Sequence, residues 1–188
     1  MKLNISLSFA LAVSLLISAC VTVPQAPKAK QNQLAISSVR DLPISYAAGS
    51  LFSLAPKYVE KTSLKPEQTQ NIYKLYADAI ISDLSNHGFK NTIKSDDSVF
   101  HVGFEVALTS DLSDQKLSEE FGIAPGLPSN EHLKKGSFII YVEDARTTEK
   151  VWRGAVQGFA HEDINEAERE QRVAAIVSRV LNQFYATN

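Results

Sequence analysis

The residue with the most distinctive chemistry is Cys20, the single cysteine of a chain of 188 residues. A thiol can accept an acyl or alkyl group, but a lone cysteine cannot form a disulfide within its own chain. It follows Ser18 and Ala19, small residues of the kind that fit a signal-peptidase cleft. Lys2 and the mostly apolar stretch 5–17 precede them, and this stretch is too short to span a membrane as a helix. The pattern predicts export, with cleavage between Ala19 and Cys20.

Residues 17–20 resemble the lipobox of bacterial lipoproteins, in which the cysteine thiol takes a diacylglycerol and the freed amine a third acyl chain. Two or three chains anchor a protein durably, because each buried methylene contributes about 0.8 kcal/mol. Val21 stands where an Asp would resemble the inner-membrane retention signal of enterobacteria. The resemblance implies a lipid anchor on the periplasmic side of the outer membrane, with the inner membrane as the alternative. The other interpretations are an ordinary signal peptide with a chance cysteine and an uncleaved anchor.

The remaining candidates for metal binding or acid–base chemistry are histidines and paired carboxylates. In the run His161-Glu162-Asp163, neighbouring side chains point to opposite sides of an extended chain, whereas metal ligands come at i, i+4 spacing or from separated elements. Asp96-Asp97 and Glu119-Glu120 lie in turns or loops, and no pattern predicts the cleft that general acid–base chemistry needs. No Gly-x-Ser-x-Gly, Walker A or dinucleotide-binding motif occurs. We therefore predict no catalytic residue, no metal and no cofactor.

Composition bounds the partners and the organisation of the chain. The formal net charge is −2, and removing residues 1–19 takes away one more positive charge, so no basic face is available for nucleic acid. A hydrophobic content of 44% is enough for a core. Residues 20–35 hold the cysteine, two prolines and three glutamines, which is typical of a flexible tether. We expect one domain over residues 36–188.

Two helices follow from apolar residues at helical spacing. Residues 66–87 begin with a proline, which suits a first turn, and end before Gly88 at the usual C-cap position. Residues 165–186 open with Asn165 and Glu168 at capping-box spacing. The apolar stripes comprise Ile72, Leu75, Tyr76, Ala79, Ile80 and Leu84 in the first helix, and Val173, Ile176, Val177, Val180, Leu181 and Phe184 in the second.

Four strands follow from alternation and turn residues. They are predicted at 50–56, 98–109, 137–143 and 150–160, the last two joined as a hairpin by a polar turn, and residues 36–46 add an extended lead-in. In the last strand, the set containing Trp152 competes with the set containing Val151 for the core, and we favour Trp152 inward. Gly154 and Gly158 would then share its face and let a helix approach closely.

The order β-α-β-β-β-α predicts an α+β fold: a two-layer, mostly antiparallel four-stranded sheet with both helices on one face. The opposite face would be solvated or would bind a partner, and it would carry Glu105, Tyr141, Glu143, Arg153 and Gln157. Residues 110–136 form a long segment with scattered apolar residues and a possible short helix near 114–121.

Two stretches resemble a known family. One is Val142-Glu143-Asp144-Ala145-Arg146, a turn, Val151-Trp152-Arg153-Gly154 and an acidic opening to the last helix; the other is His87-Gly88-Phe89 before an acidic turn and an alternating strand. Over about residues 45–186 the chain is similar to envelope lipoproteins grouped as domain of unknown function 4136, with a weaker match at residues 52–56. It lacks their aspartate-rich opening segment and the Gly- and Tyr-rich character of the loop at 110–136. The resemblance implies location and fold but no reaction, since the family has none assigned.

Two functions remain open at this stage. The anchor, the tether and the missing active-site pattern predict a non-enzymatic envelope module that contacts another envelope component through the exposed sheet face, a sheet edge or the long loop. The alternative is a small-molecule or lipid carrier, or an unrecognised hydrolase, with a pocket of roughly 300 Å³ or more under the loop at 110–136.

Overall fold

The computed structural model of the protein describes residues 31–57, 59, 62–161 and 163–188. These contain six strands and three helices besides a short 3-10 turn. The predicted lipidation site at Cys20, the cleavage site at Ala19 and most of the predicted tether lie outside the described residues. The strands are β1 (Leu34–Arg40), β2 (Leu51–Pro56), β3 (Lys90–Asn91), β4 (Phe100–Leu108), β5 (Lys135–Asp144) and β6 (Lys150–Phe159), and the helices are α1 (Pro66–Asn86), α2 (Asp114–Phe121) and α3 (Glu166–Tyr185).

The α+β class is confirmed, but the sheet differs from the predicted four-stranded one. It has six strands in the order β1-β6-β5-β4-β2-β3. The predicted lead-in forms β1, an edge strand antiparallel to β6. Strand β2 is parallel to both β3 and β4, because α1 carries the chain back across the sheet before β3 begins. The two residues of β3 are too few to show any alternation in the sequence.

The main core lies between the sheet and the helix pair α1 and α3. Trp152 is 1% exposed and packs on Phe184 with ring centroids 5.5 Å apart, so its inward orientation is confirmed. A Cβ at Gly154 would overlap the Trp152 ring and approach the Val180 side chain, which shows how closely α3 lies on β6. At Gly158 the predicted helix contact is wrong, because the neighbour there is Leu34 of β1.

The ends of the two long helices follow the sequence signals. At the start of α3, Asn165 Oδ1 accepts from the Glu168 amide at 2.9 Å, and Glu168 Oε2 accepts from the Asn165 amide at 3.2 Å. Beyond α1, Gly88 has φ +90°, the left-handed conformation that favours glycine. The two helices are joined near their C-terminal ends, where the Tyr185 hydroxyl donates to Asp83 Oδ1 at 2.6 Å.

The short helix near 114–121 is confirmed as α2, and it covers the other face of the sheet. Ser113 caps its start and Gly122, with φ +63°, ends it. Its buried residues Leu117 and Phe121 belong to a second apolar cluster with Ile139 and Ala155 of the sheet. The sheet is therefore covered on both faces: α1 and α3 share one of them, as predicted, and residues 110–136 occupy the other.

Candidate functional site

The five residues predicted on an exposed sheet face share that face, but two of them are buried beneath residues 110–136. Glu105 is 4% exposed and Gln157 is 0% exposed, while Tyr141, Glu143 and Arg153 are half-buried. The expectation of a solvated face or partner surface is wrong for Glu105 and Gln157. Its failure has a physical cause: α2 has an apolar side that the scattered leucines did not reveal, and that side packs on the sheet.

A buried polar network fastens this covering segment to the sheet. The Lys135 ammonium, with only 4% of its side chain exposed, donates to Asp114 Oδ2 at 2.8 Å and to the Leu127 carbonyl at 3.1 Å. Gln157 Nε2 donates to Asp114 Oδ1 at 2.6 Å, and Gln157 Oε1 accepts from the Leu127 amide at 2.9 Å. The bond from Lys135, aided by Gln157, holds the pKa of the Asp114 carboxyl below its usual value. Each partner satisfies groups that would otherwise be buried at a cost.

Glu105 is buried in the same layer without such partners. Its Oε2 atom accepts no hydrogen bond from any residue in the described ranges. Burial raises the pKa of Glu105, Lys57 lowers it in part, and Glu120 of α2 raises it further. Beside it the Tyr141 ring lies where a Cβ at Gly103 would be, so the small residue makes room for the ring.

Arg153 and Glu143 remain partly accessible at the end of this face. Arg153 Nε donates to Asp41 Oδ2 at 2.7 Å, and its Nη1 donates to the Phe121 carbonyl at the end of α2. Arg153, Asp41 and Glu143 line an open hollow of about 450 Å³. Arg153 therefore ties α2 to the sheet and to the segment before β2.

Packed side chains occupy the place where a pocket under residues 110–136 is predicted. Leu112, Leu117, Phe121 and Ile123 are each at most 4% exposed. They belong to one apolar cluster with Ile139 and Ala155 of the sheet. This packing gives no support to a ligand site under the segment.

A large groove lies instead on the opposite face of the sheet, between the N-terminal halves of α1 and α3. We call it the α1–α3 groove; its volume is about 1390 Å³. Its lining mixes apolar and polar side chains. The apolar ones include Val106, Leu108, Phe138 and Val156 of the sheet, Ile72, Leu75 and Tyr76 of α1, and Val173 and Ile176 of α3, and polar ones such as Gln68, Asn71, Thr109 and Ser137 lie among them. The first seven residues of α3, EAEREQR, include no apolar side chain larger than alanine to pack against α1, so the helices part there.

The rim of the α1–α3 groove carries polar groups that hold the start of the described chain. Arg172 donates to Asn32 Oδ1 at 3.2 Å and to the Phe159 carbonyl at 3.2 Å. His161 Nε2 lies 3.0 Å from the Gln31 carbonyl oxygen. On the α1 wall, the Tyr76 ring packs on Phe138 at 4.6 Å, and burial raises its pKa to about 12, so its hydroxyl stays protonated at neutral pH.

A Ser–His cluster that no sequence pattern predicted links β2 to β4. Ser53 Oγ lies 2.8 Å from His101 Nδ1, and Ser98 Oγ lies 3.2 Å from the same nitrogen. The Ser98 hydroxyl donates to the Ser95 carbonyl at 2.5 Å, so its proton is already engaged. None of these residues lines the α1–α3 groove, and no described carboxylate is bonded to the His101 ring. The cluster fastens the parallel pair of strands.

Within residues 31–57, 59, 62–161 and 163–188, no three His, Cys, Asp or Glu side chains are grouped so as to hold a metal ion. Asp163 of the His161 run is described, whereas Glu162 is not. Over the same residues, no helix has the length and apolar character to cross a bilayer.

Comparison with known proteins gives a family and a fold. The family described as domain of unknown function (DUF4136) matches residues 45–184, and no curated protein matches the chain. A DUF4136 family protein from Bacteroides thetaiotaomicron VPI-5482 is similar in fold, with TM-score 0.48 and 13% identity over 82% of this chain and 97% of that one. A PDZ domain protein from Parabacteroides distasonis ATCC 8503 has TM-score 0.50 and 10% identity over 81% of this chain and 36% of that one. Lipoprotein GNA1162 from Neisseria meningitidis has TM-score 0.38 and 11% identity over 71% of this chain and 99% of that one.

The buried carboxylate of Glu105 predicts a pH dependence of stability. Its pKa is raised in the folded state, so the folded protein binds a proton that the unfolded chain has released, and stability falls as pH rises through that range. We expect Glu105→Gln to increase the free energy of unfolding at pH 7, by about 1 kcal/mol, and to flatten this fall. Urea unfolding between pH 4 and pH 8 measures both effects. The exposed Glu131→Gln is the control, and an unchanged pH profile in Glu105→Gln would contradict the assignment.

The Asp114–Lys135 pair predicts that residues 110–136 loosen when Asp114 is lost. Asp114→Ala leaves the buried Lys135 ammonium without its half-exposed counter-charge, so we expect a loss of about 2 kcal/mol in unfolding free energy. Limited proteolysis should then cleave within 110–136 before the rest of the chain. Asp78→Ala breaks an exposed pair with Lys74, 2.6 Å long, and should cost less than about 1 kcal/mol. Equal losses in the two variants would show that the buried network does not fasten the segment.

Proposed function

The chain belongs to the DUF4136 family, and from this premise we propose that it is a non-enzymatic, lipid-anchored envelope protein that binds an elongated apolar ligand or partner segment in the α1–α3 groove. The anchor is Cys20, and the location is the periplasmic face of the outer membrane. Lipobox-like residues at 17–20 support the anchor, and Val21 after the cysteine favours the outer membrane.

The observation that carries the binding role is the α1–α3 groove itself. An open groove lined in large part by apolar side chains is the default place to expect a ligand or partner site. Its volume of about 1390 Å³ exceeds the roughly 300–1,000 Å³ of typical small-molecule pockets. Leu75, Tyr76 and Val106 are partly exposed within it, although each belongs to the periphery of the main core. An elongated apolar occupant would complete the burial of these side chains.

A second candidate function, lipid carriage, uses the same groove. The apolar side chains on the floor of the groove favour it, since an acyl chain offers only apolar surface. A carrier would bind and release lipid without a fixed protein partner. A module would retain one envelope component through repeated washing of intact envelopes.

The proposed anchor predicts where the protein is found after fractionation. Cys20→Ala removes the acyl acceptor, so we expect the protein to leave the membrane fraction or to accumulate with its signal uncut. Val21→Asp keeps the anchor but resembles the retention signal, so it should move the protein to the inner-membrane fraction. Membrane separation and mass spectrometry of the mature N-terminus measure both effects. Acyl-free Cys20 in the wild-type protein would refute the anchor.

The proposed groove predicts a site-specific loss of apolar binding. Ile72→Glu places a carboxylate among apolar side chains, where burial beneath a ligand is costly, so the affinity for the fluorescent probe N-phenyl-1-naphthylamine should fall about tenfold or more. Ile93→Glu makes the same change at a residue that is 98% exposed and outside the groove, and it should bind as the wild type does. Identical titrations for the two variants would place the probe elsewhere.

A further inference from the structure

We propose that the α1–α3 groove shelters the acyl chains of this protein's own anchor whenever that anchor is outside a bilayer. The groove becomes free for its partner only once the chains have entered a membrane. This inference rests on the proposed function, because it requires acylated Cys20. It adds a named occupant to the groove and couples partner binding to anchoring.

The described chain begins at the rim of the α1–α3 groove. The Gln31 carbonyl oxygen lies 3.0 Å from His161 Nε2, and Arg172 Nη1 donates to Asn32 Oδ1 at 3.2 Å. Both His161 and Arg172 line the α1–α3 groove, as does Leu34 at the start of β1. The segment that leads back to the anchor therefore starts at the rim of the groove and not at a distant point of the surface.

The connection between Cys20 and the rim of the α1–α3 groove is short. Cys20 precedes Gln31 by eleven residues, which span at most about 40 Å when fully extended. A group held on so short a connection has an effective concentration of about 1 mM at its other end. The anchor's own chains therefore meet the groove far more often than any lipid free in solution.

The lining of the groove suits an acyl chain better than an extended peptide. The floor is formed by β4, β5 and β6, each paired with a strand on both sides, so it offers no free strand edge to an extended peptide. An extended peptide lying there would leave backbone N–H and C=O groups without partners. An acyl chain has no such groups and needs only apolar contact. The rim charges are mixed, with Arg169 and Arg172 beside Glu166 and Glu170, and select no strongly charged headgroup.

The acyl chains are more stable in a bilayer than in the groove. A bilayer surrounds an acyl chain completely and contributes about 0.8 kcal/mol per methylene, whereas the groove is open along one side. The chains therefore pass from the groove to a membrane when one is within reach. In water they return to the groove instead of associating with the anchors of other molecules.

The test compares acylated proteins after the removal of detergent, by sedimentation velocity. We expect the acylated full-length wild type and Ile93→Glu to remain monomeric and acylated Ile72→Glu to form large assemblies. The double variant Cys20→Ala, Ile72→Glu should stay monomeric, which would show that the substitution alone causes no association. The proposal is overturned if acylated wild type and acylated Ile72→Glu sediment alike, whether as monomers or as assemblies.

A photo-crosslinking arm identifies the source of the chain. Cells grown with a diazirine fatty acid should yield wild-type protein in which the N-terminal peptide is crosslinked to groove peptides containing Ile72 or Phe138. If Cys20→Ala protein is labelled in the groove as strongly by cellular lipid, the occupant is a membrane lipid and the proposal is wrong. A crosslinked partner helix would likewise overturn it. An unmodified Cys20 would refute the proposed anchor and this inference together, whereas an acylated Cys20 with an unlabelled groove refutes this inference alone.

Discussion

The architecture depends on the fact that the apolar surfaces of α1 and α3 face each other along only part of their length. Apolar residues of α3 other than alanine begin at Val173, two turns after the helix starts, whereas those of α1 begin at Ile72 and continue to its end. Near the C-terminal ends the two helices meet, with the His87 and Tyr185 rings stacked at 3.7 Å. At the N-terminal ends the polar turns of α3 cannot cover the sheet. A groove results from the order of residues along one helix, without any special loop.

The other face of the sheet meets the same requirement by different means. Strands β5 and β6 carry Ile139 and Ala155 toward it, and these apolar side chains need a cover. Residues 110–136 supply that cover, and the buried polar residues of the strands become points of attachment for it. Gln157 has partners for both ends of its amide, in Leu127 and Asp114. Glu105 has no comparable partner among the described residues, which is why burial dominates its pKa.

How much of this could be read from the sequence depends on the range of the interactions involved. The capping box at Asn165, the end of α1 at Gly88 and the inward Trp152 depend on neighbours in the chain or on strand alternation, and they were predicted. The parallel pairing of β2 with β4 and the addition of β1 beside β6 depend on long-range pairing that no local pattern encodes. The exposed-face prediction failed at Glu105 and Gln157 because alternation shows which residues share a face, not what later covers that face. The groove had a signal, the mismatch between the apolar stripes of the two helices, but recognising it requires knowing that they pack side by side.

The α1–α3 groove and the proposed lipid anchor would each expose apolar surface to water. A folded domain tolerates an uncovered apolar groove only at some risk of association. In a lipidated protein that risk is joined by a second one, the exposure of the acyl chains themselves before they reach a membrane. Because Gln31 and Asn32 are held at the groove rim by His161 and Arg172, the two exposed apolar surfaces belong to one molecule and lie within one short connection. Contact between them would reduce both exposures at once, and insertion of the chains into a bilayer would then leave the groove uncovered only at the membrane surface, where we propose that the partner binds.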